Sequence, residues 1–430
     1  MRHLPFPDVV YGCLVLHVCN LPLIGLRSLA FHRWATRPTF GICSCFSTPI
    51  VYSLASAKNQ NSSSHYGNAM NDHETIELLV SNLRKMTRFG HLRTVVELAG
   101  GYANRSWDLF RRDFVNGGVN LSAKKLREVL EDFFNDQLIG SERFAQVFRP
   151  SKGDRKLLVD KIHTATPKRS VASKRYPYLL ADDQLADIPT HPTFTGKQTL
   201  SDGSTALTFL SGRYIDERLK FKRDDVTPSI QDALSKAYQD FDEFIVVRKI
   251  FKQCADAVVV APDASTIQLR LDVPSTNNVE FGEICAKELG YQFHALFHGD
   301  GGSSLLGSPV NFFPAINGLY SDRSAGRVVE LGFETPTNSV KTERMRDRNS
   351  DLRVELYHKA GKGAVPHITP FKISVRFGKQ VGGESIPEVT LPGNFRELAK
   401  PKSMLQIALV QGCTTEQAFS ETIGTLLKYC

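Results

Sequence analysis

Long apolar runs are missing from this chain. No stretch reaches the ~18 uninterrupted apolar residues that a membrane-spanning helix needs. The eight cysteines include no C-x-x-C pair, which excludes zinc ribbons and fingers. Four of them (Cys254, Cys285, Cys413, Cys430) are scattered over residues 70–430, the pattern of reduced thiols in a cytoplasmic protein. No G-x-S-x-G elbow marks a serine nucleophile, and no glutamate follows His294 in the H-E-x-x-H pattern of a zinc hydrolase. What is present is ordinary globular material: 41% apolar, 23% charged and 10% aromatic over 430 residues. That length supports two or three domains and excludes a disordered, collagen-like or disulfide-scaffold chain.

The formal charge of +8 is unevenly spread. Residues 1–69 carry five Lys/Arg and one acid, residues 70–175 carry 20 and 13, and residues 176–430 carry 28 and 31. A basic first part on a mildly acidic remainder points to a polyanion partner for the first part.

Residues 1–69 look foreign to a fold. Their apolar residues are clumped without period, and Asp8 is their one acid. The run from Val9 to Leu26 is broken by His17, Asn20 and Pro22, unlike a secretory signal. The Arg- and Ser-bearing, acid-poor composition fits a transit peptide better. Met70 stands immediately before the first amphipathic segment, so the favoured expectation is an upstream extension, spurious or disordered.

Residues 70–165 read as a basic helical module. Ile76, Leu79, Val80 and Leu83 fall on one helical stripe, as do Leu126, Val129, Leu130, Phe133 and Phe134 after an N-cap at Ser122. Gly100-Gly101 and Gly117-Gly118 punctuate the helices. Short helices joined by glycine turns, followed by a possible hairpin at Arg143–Arg149, follow the plan of helix-turn-helix and winged-helix modules. Phosphates and guanine edges accept hydrogen bonds, so a reading helix needs donors. The candidates are Arg105, Arg111 and Arg112 on one helix, and Lys124, Lys125 and Arg127 on the next. A bundle mediating protein contacts is the competing reading, because Glu128, Glu131, Asp132 and Asp136 share the second helix.

Residues 166–205, with a basic run and two prolines, read as a linker. Residues 206–430 read as an α+β domain with a mixed, mainly antiparallel sheet and covering helices. Ile267, Leu269 and Leu271 alternate with polar residues, as do Phe371, Ile373 and Val375, and Leu352, Val354 and Leu356. Further strands are expected at 311–319 and 327–333. A helix of about 20 residues is expected from Pro228, one from Asn277 to Phe297, and one from Thr415. The segment 341–353 is expected as an exposed charged loop or a short exposed helix between strands.

Several constellations carry possible chemistry. The polar sheet face is expected to show Arg270, Arg353, Lys372 and Arg376 among Asp272, Glu330 and Glu355, either as a basic platform or as cross-strand ion pairs. His294 and His298 are one helical turn apart and Asp300 follows, so these three are the candidate metal ligands, with His358 and His367 as further donors. Gly299–Ser304 is a glycine-rich loop without Walker spacing. Asp263, Asp272, Glu283 and Lys287 hold nuclease-type residues without the D/E-x-K tripeptide. No cofactor is identifiable. The sequence therefore leads to a regulatory nucleic-acid-binding protein with a duplex-DNA-contacting helical module and an α+β domain for a ligand or protein partner. Its alternatives are a non-catalytic interaction subunit and, behind that, a metal-dependent enzyme.

Overall fold

A computed structural model describes residues 70–237, 242–272, 279–298, 304–378 and 386–430. The expectations for residues 1–69, for Asp300 and for most of the 299–304 loop lie outside the described residues. The chain divides into two compact units. One comprises Met70–Glu217 with Lys249–Cys430, and the other includes Arg218–Arg248.

The larger unit begins with four helices, α1 (Asp72–Met86), α2 (Phe89–Leu98), α3 (Trp107–Val115) and α4 (Ala123–Gly140). Asn71 caps α1 in a reciprocal box with Glu74, and Ser106 and Ser122 cap α3 and α4. Such caps each contribute about 1 kcal/mol. Gly100 and Gly117 both take positive φ, 85° and 73°, which is why glycine stands at these helix exits. The expected stripes close into one core. Ile76, Leu79 and Leu83 of α1 meet Leu126, Leu130 and Phe133 of α4, with Phe110 and Val96 from the helices between.

The chain then enters the sheet through β1 (Arg143–Arg149), which is followed by α5 (Lys152–Lys161) and α6 (Val171–Arg175). β1 is not the arm of a local hairpin. It pairs antiparallel with two strands far along the chain, and it lies inside an 11-stranded sheet. The segment 166–205, expected as a linker, is structured. It holds α6, which has its own capping box at Ser170 and Ser173, and β2 (Thr193–Thr199), which pairs with β3 (Thr205–Lys222).

The second unit holds the outer part of β3, helix α7 (Pro228–Ala237) and the first part of β4 (Glu243–Val260). Phe221 stacks on Phe244 and Lys220 pairs with Glu243 at 2.5 Å. The helix expected to reach Ile245 is thus shorter, because Phe244 and Ile245 belong to a strand.

The larger unit continues with β5 (Ile267–Leu271), α8 (Val279–His298), β6 (Ser308–Pro309), α9 (Phe313–Ser321), β7 (Arg327–Glu334) and β8 (Val340–Arg344). It ends with α10 (Leu356–Gly363), β9 (Thr369–Arg376), β10 (Glu388–Leu391), α11 (Phe395–Leu398), β11 (Ala408–Gln411) and α12 (Glu416–Leu427). The strand order is β2-β3-β4-β5-β1-β11-β10-β9-β7-β8, with β6 attached to β1. The architecture is α+β with a large antiparallel sheet.

Three segments differ from expectation. Residues 313–321 form a helix, since Phe313, Ile316, Leu319 and Tyr320 are buried at helical spacing and Pro314 suits the first turn. The alternating Leu352-Arg353-Val354-Glu355-Leu356 is a 3₁₀ turn leading into α10, with the pattern inverted: Arg353 is buried, while Val354 and Leu356 are exposed. Arg353 is held there by Asp351 and by the carbonyls of Leu319, Tyr320 and Asp322. The segment from 341 contains the edge strand β8 rather than a loop.

α12 closes over the middle of the sheet. Gly140 of α4 lets this approach happen, because a Cβ there would stand 2.8 Å from the Cα of Glu416. Arg270 of β5, expected at the solvent face, is consequently fully buried. It pairs with Glu416 at 2.9 Å, donates to Gln268 and Ser420, and lies 4.5 Å over the Phe419 ring.

Candidate functional site: a basic groove beside a polar cleft

Toward β9, β10 and β11 the sheet carries a groove of about 690 Å³. Its floor comes from alternate residues of adjacent strands: Lys372, Ser374 and Arg376 on β9, and Glu388 and Thr390 on β10. Ser374 and Thr390 hydroxyls bond across the strands at 2.8 Å. Arg344 of β8 and Arg348 flank the floor on one side, and Arg88, His91 and Glu142 on the other.

The charges in this groove do not cancel. Arg88, Arg344, Arg348, Lys372 and Arg376 face three carboxylates, Glu142, Glu330 and Glu388. Each carboxylate is already engaged. Glu330 takes Lys372 at 2.5 Å and Arg344 at 3.7 Å, Glu388 takes Arg348, and Glu142 takes Arg88 at 3.0 Å. The expected cross-strand pairing therefore exists for Lys372 and Glu330. Arg376 is left over. Its Nη1 donates to the Arg348 carbonyl at 3.4 Å, its Nε has no acceptor among the described residues, and it forms no ion pair among them. Its partner across β7 is another cation, Arg327. Its neighbour across β10 is Glu388, which is already paired with Arg348; Asp347, held below its usual pKa chiefly by the Asn349 N–H and Ser350 hydroxyl, also feels it. Burial and the neighbouring Arg88 hold His91 below its ordinary value, so it adds no charge near pH 7.

A second and larger cavity adjoins the groove, a cleft of about 1090 Å³. Val279 and Pro392 line both. One wall is a single face of α8, carrying Glu280, Glu283, Lys287, Tyr291 and His294 at helical spacing. The opposite wall is the Pro392–Asn394 turn with Glu397. Gly393 is required in that turn, since a Cβ would lie 2.1 Å from the Phe371 carbonyl oxygen. The floor is apolar, with Phe148, Leu306, Phe313 and Leu405. Gln146 of β1 stands in it, 6% exposed, with no hydrogen-bond partner among the described residues.

The six cations first assigned to nucleic acid lie elsewhere, on the helices. Arg111 pairs with Glu77 at 2.6 Å, Arg112 with Asp113 at 3.1 Å, and Arg127 with Asp72 at 2.9 Å. Arg105, Lys124 and Lys125 form no ion pair among the described residues. Arg105 precedes α3, and the two lysines are exposed in the first turn of α4. Two of the six, Arg111 and Arg127, thus tie α3 and α4 to α1, while Arg112 pairs within its own helix.

The candidate metal ligands are only partly described. His294 faces the cleft, and its Nδ1 accepts from the Leu305 N–H at 3.4 Å. The side chain of His298 and all of Asp300 lie outside the described residues. His358, considered as a further donor, is buried between Glu343 at 2.5 Å and the Tyr320 hydroxyl at 2.8 Å, so both ring nitrogens are occupied. Among the described residues no three His, Cys, Asp or Glu side chains are arranged to hold a metal. The nuclease-type residues separate. Glu283 and Lys287 line the cleft, whereas Asp272 is half-buried elsewhere, its carboxyl pushed up by desolvation and its Oδ2 taken by the Ala255 N–H.

Cys254, Cys285 and Cys413 are buried free thiols, and burial pushes Cys285 up to about 11 and Cys413 up to about 12. They are inert at neutral pH. No helix of the described residues is long and apolar enough to cross a membrane. No family model matches the chain, and no curated protein is significantly similar to it.

Proposed function

We propose that this protein binds nucleic acid through its phosphate backbone, with the groove over β9 and β10 as the principal contact. The observation that carries this reading is Arg376: a guanidinium on the groove floor, beside Arg348 and across from Arg327, without a carboxylate of its own. An anion supplied from outside relieves that excess. Phosphate oxygens are the acceptors a guanidinium fork matches best. The exposed cations Arg88 and Arg344 sit at the sides, tied to acids by surface pairs worth little to stability, and are easily re-aimed at a phosphate.

The helical part adds a second contact in this reading. Arg105, Lys124 and Lys125 are its unpaired cations, on a helix-turn-helix-like arrangement of short helices. The role is regulatory binding rather than catalysis, in the cytoplasm, with the α+β part also receiving a ligand or protein partner.

The test is a salt series of full-chain binding to labelled duplex and single-stranded oligonucleotides. Log affinity should fall linearly with log salt, with a slope of about −0.7 to −0.9 per phosphate neutralised. Arg376→Gln should lower affinity roughly tenfold and flatten the slope by about one contact. Arg105→Ala/Lys124→Ala/Lys125→Ala should lower it further if the helices take part. Salt-independent binding, or none at 50 mM salt, overturns the proposal.

A further inference from the structure

The cleft beside the groove has the opposite charge balance. Glu280, Glu283 and Glu397 face the single ammonium of Lys287. Lys400, from outside the lining, pairs with Glu397 at 2.6 Å. A phosphate is repelled there, so whatever enters the cleft is uncharged or cationic. Yet the cleft is built to hold something polar. Gln146 is 6% exposed and has no protein partner among the described residues, and its amide opens onto the cleft, where water or a ligand can meet it. Gln406 shows no hydrogen bond among the described residues, and Asn394 uses only its Oδ1, in capping α11. Side-chain amides carry a donor pair and an acceptor side by side, the complement of a nucleobase edge. The aromatic surface open to a base is Tyr291 on the α8 wall, 57% exposed, whereas Phe148 and Phe313 are packed into the core.

We propose that the cleft receives nucleobases from a single strand whose phosphates lie in the adjoining groove. The inference rests on the nucleic-acid reading above and narrows it to a substrate class. The reversal of charge across the shared residues Val279 and Pro392 matches a polymer with an anionic backbone and uncharged side groups. A duplex keeps its bases stacked inside and presents only phosphates, so it fills the groove and leaves the cleft empty.

The experiment compares full-chain affinities, by fluorescence anisotropy at fixed salt, for a 15-nucleotide single strand, the same strand with abasic sites throughout, and its duplex. The expected order is single strand tightest, with abasic strand and duplex about tenfold weaker. Gln146→Leu supplies the second arm. The amide has no protein partner to lose, so this variant should fold at least as well as the parent, which a thermal melt checks. It should bind the natural strand about tenfold more weakly and the abasic strand as the parent does. Salt-steep binding with equal affinity for all three probes leaves the phosphate groove standing and refutes base capture. Absence of binding to any probe removes both. Loss of affinity in Gln146→Leu that is equal on natural and abasic strands also overturns the proposal, because the amide would then not be meeting a base.

Discussion

Asp136 should make the protein lose stability as the pH rises from about 4 to about 7, and Asn in its place should abolish that loss. Asp136 projects from α4 at the start of α12, where its Oδ1 accepts the Glu416 N–H at 3.1 Å. Burial pushes its carboxyl up to about 7 from an ordinary value of 3.8, and the neighbouring carboxylates Glu416 and Asp132 push the same way against that hydrogen bond. A carboxyl whose folded pKa is raised binds its proton more tightly in the folded chain. Its contribution is therefore fully present below the unfolded pKa and declines between about pH 4 and pH 7. At about 1.36 kcal/mol per unit, the whole shift amounts to about 4 kcal/mol as an upper limit, and about 2.7 kcal/mol of it falls above pH 5. Asn is nearly isosteric, keeps an oxygen for the Glu416 N–H and does not titrate. Urea unfolding of parent and Asp136→Asn at pH 5 and pH 8 isolates the effect, since every other group titrates in both proteins. The gap in favour of the Asn variant should open by up to about 3 kcal/mol between the two pH values. A variant that is less stable than the parent at pH 8, or a gap that does not change with pH, would refute the claim that this carboxyl is held neutral.

Other substitutions probe the same packing. Gly140→Ala improves helix propensity by about 1 kcal/mol but drives a methyl into the Glu416 backbone, so net destabilisation of about 1–3 kcal/mol is expected in a denaturant melt. Arg270→Ala strands Glu416 and should cost about 3–5 kcal/mol, whereas Arg270→Met with Glu416→Gln together should recover much of it. Tyr320→Phe leaves a buried nitrogen of His358 without its partner and should cost about 1–3 kcal/mol; an unchanged melting point would mean water takes over the bond.

Helices were legible from residues alone wherever an apolar stripe had a cap. The stripes of α1 and α4 and the caps at Ser122 and Thr415 lie where periodicity puts them. Strand alternation succeeded at β5 and β9 and failed at Leu352–Leu356, because alternation assumes that the charged residue faces water. Arg353 instead finds Asp351 and four carbonyls, and the apolar neighbours turn outward. Arg270 failed for the same reason, since nothing local announces that α12, some 145 residues later, covers that face. Lys372, Arg376 and Glu330 were correctly placed together on a polar face. The groove they share with Arg88 and Glu142 brings residues from the first helices to the last strands, a proximity that spacing does not encode.

The two ends of the sheet explain why the groove lies where it does. Around β5 and β1 the sheet is covered on both faces, by α8 on one and by α12 with α4 on the other, and its buried cations are engaged by carboxylates or, for Arg143, by the carbonyls of Ala255, Gln137 and Leu138. Arg270 has Glu416, and Arg213 has Asp256. Such pairs belong to a finished core, where leaving one member unpaired is costly. Over β9 and β10 the face with Lys372, Ser374 and Arg376 has no helix upon it among the described residues, only a groove, while the opposite face buries Phe371, Ile373 and Val375. A one-sided sheet of this kind ordinarily carries balanced charges toward water. Here five cations meet three carboxylates, and Arg376 is the groove cation with no ion pair among the described residues. That excess is what the proposed phosphate contact would offset.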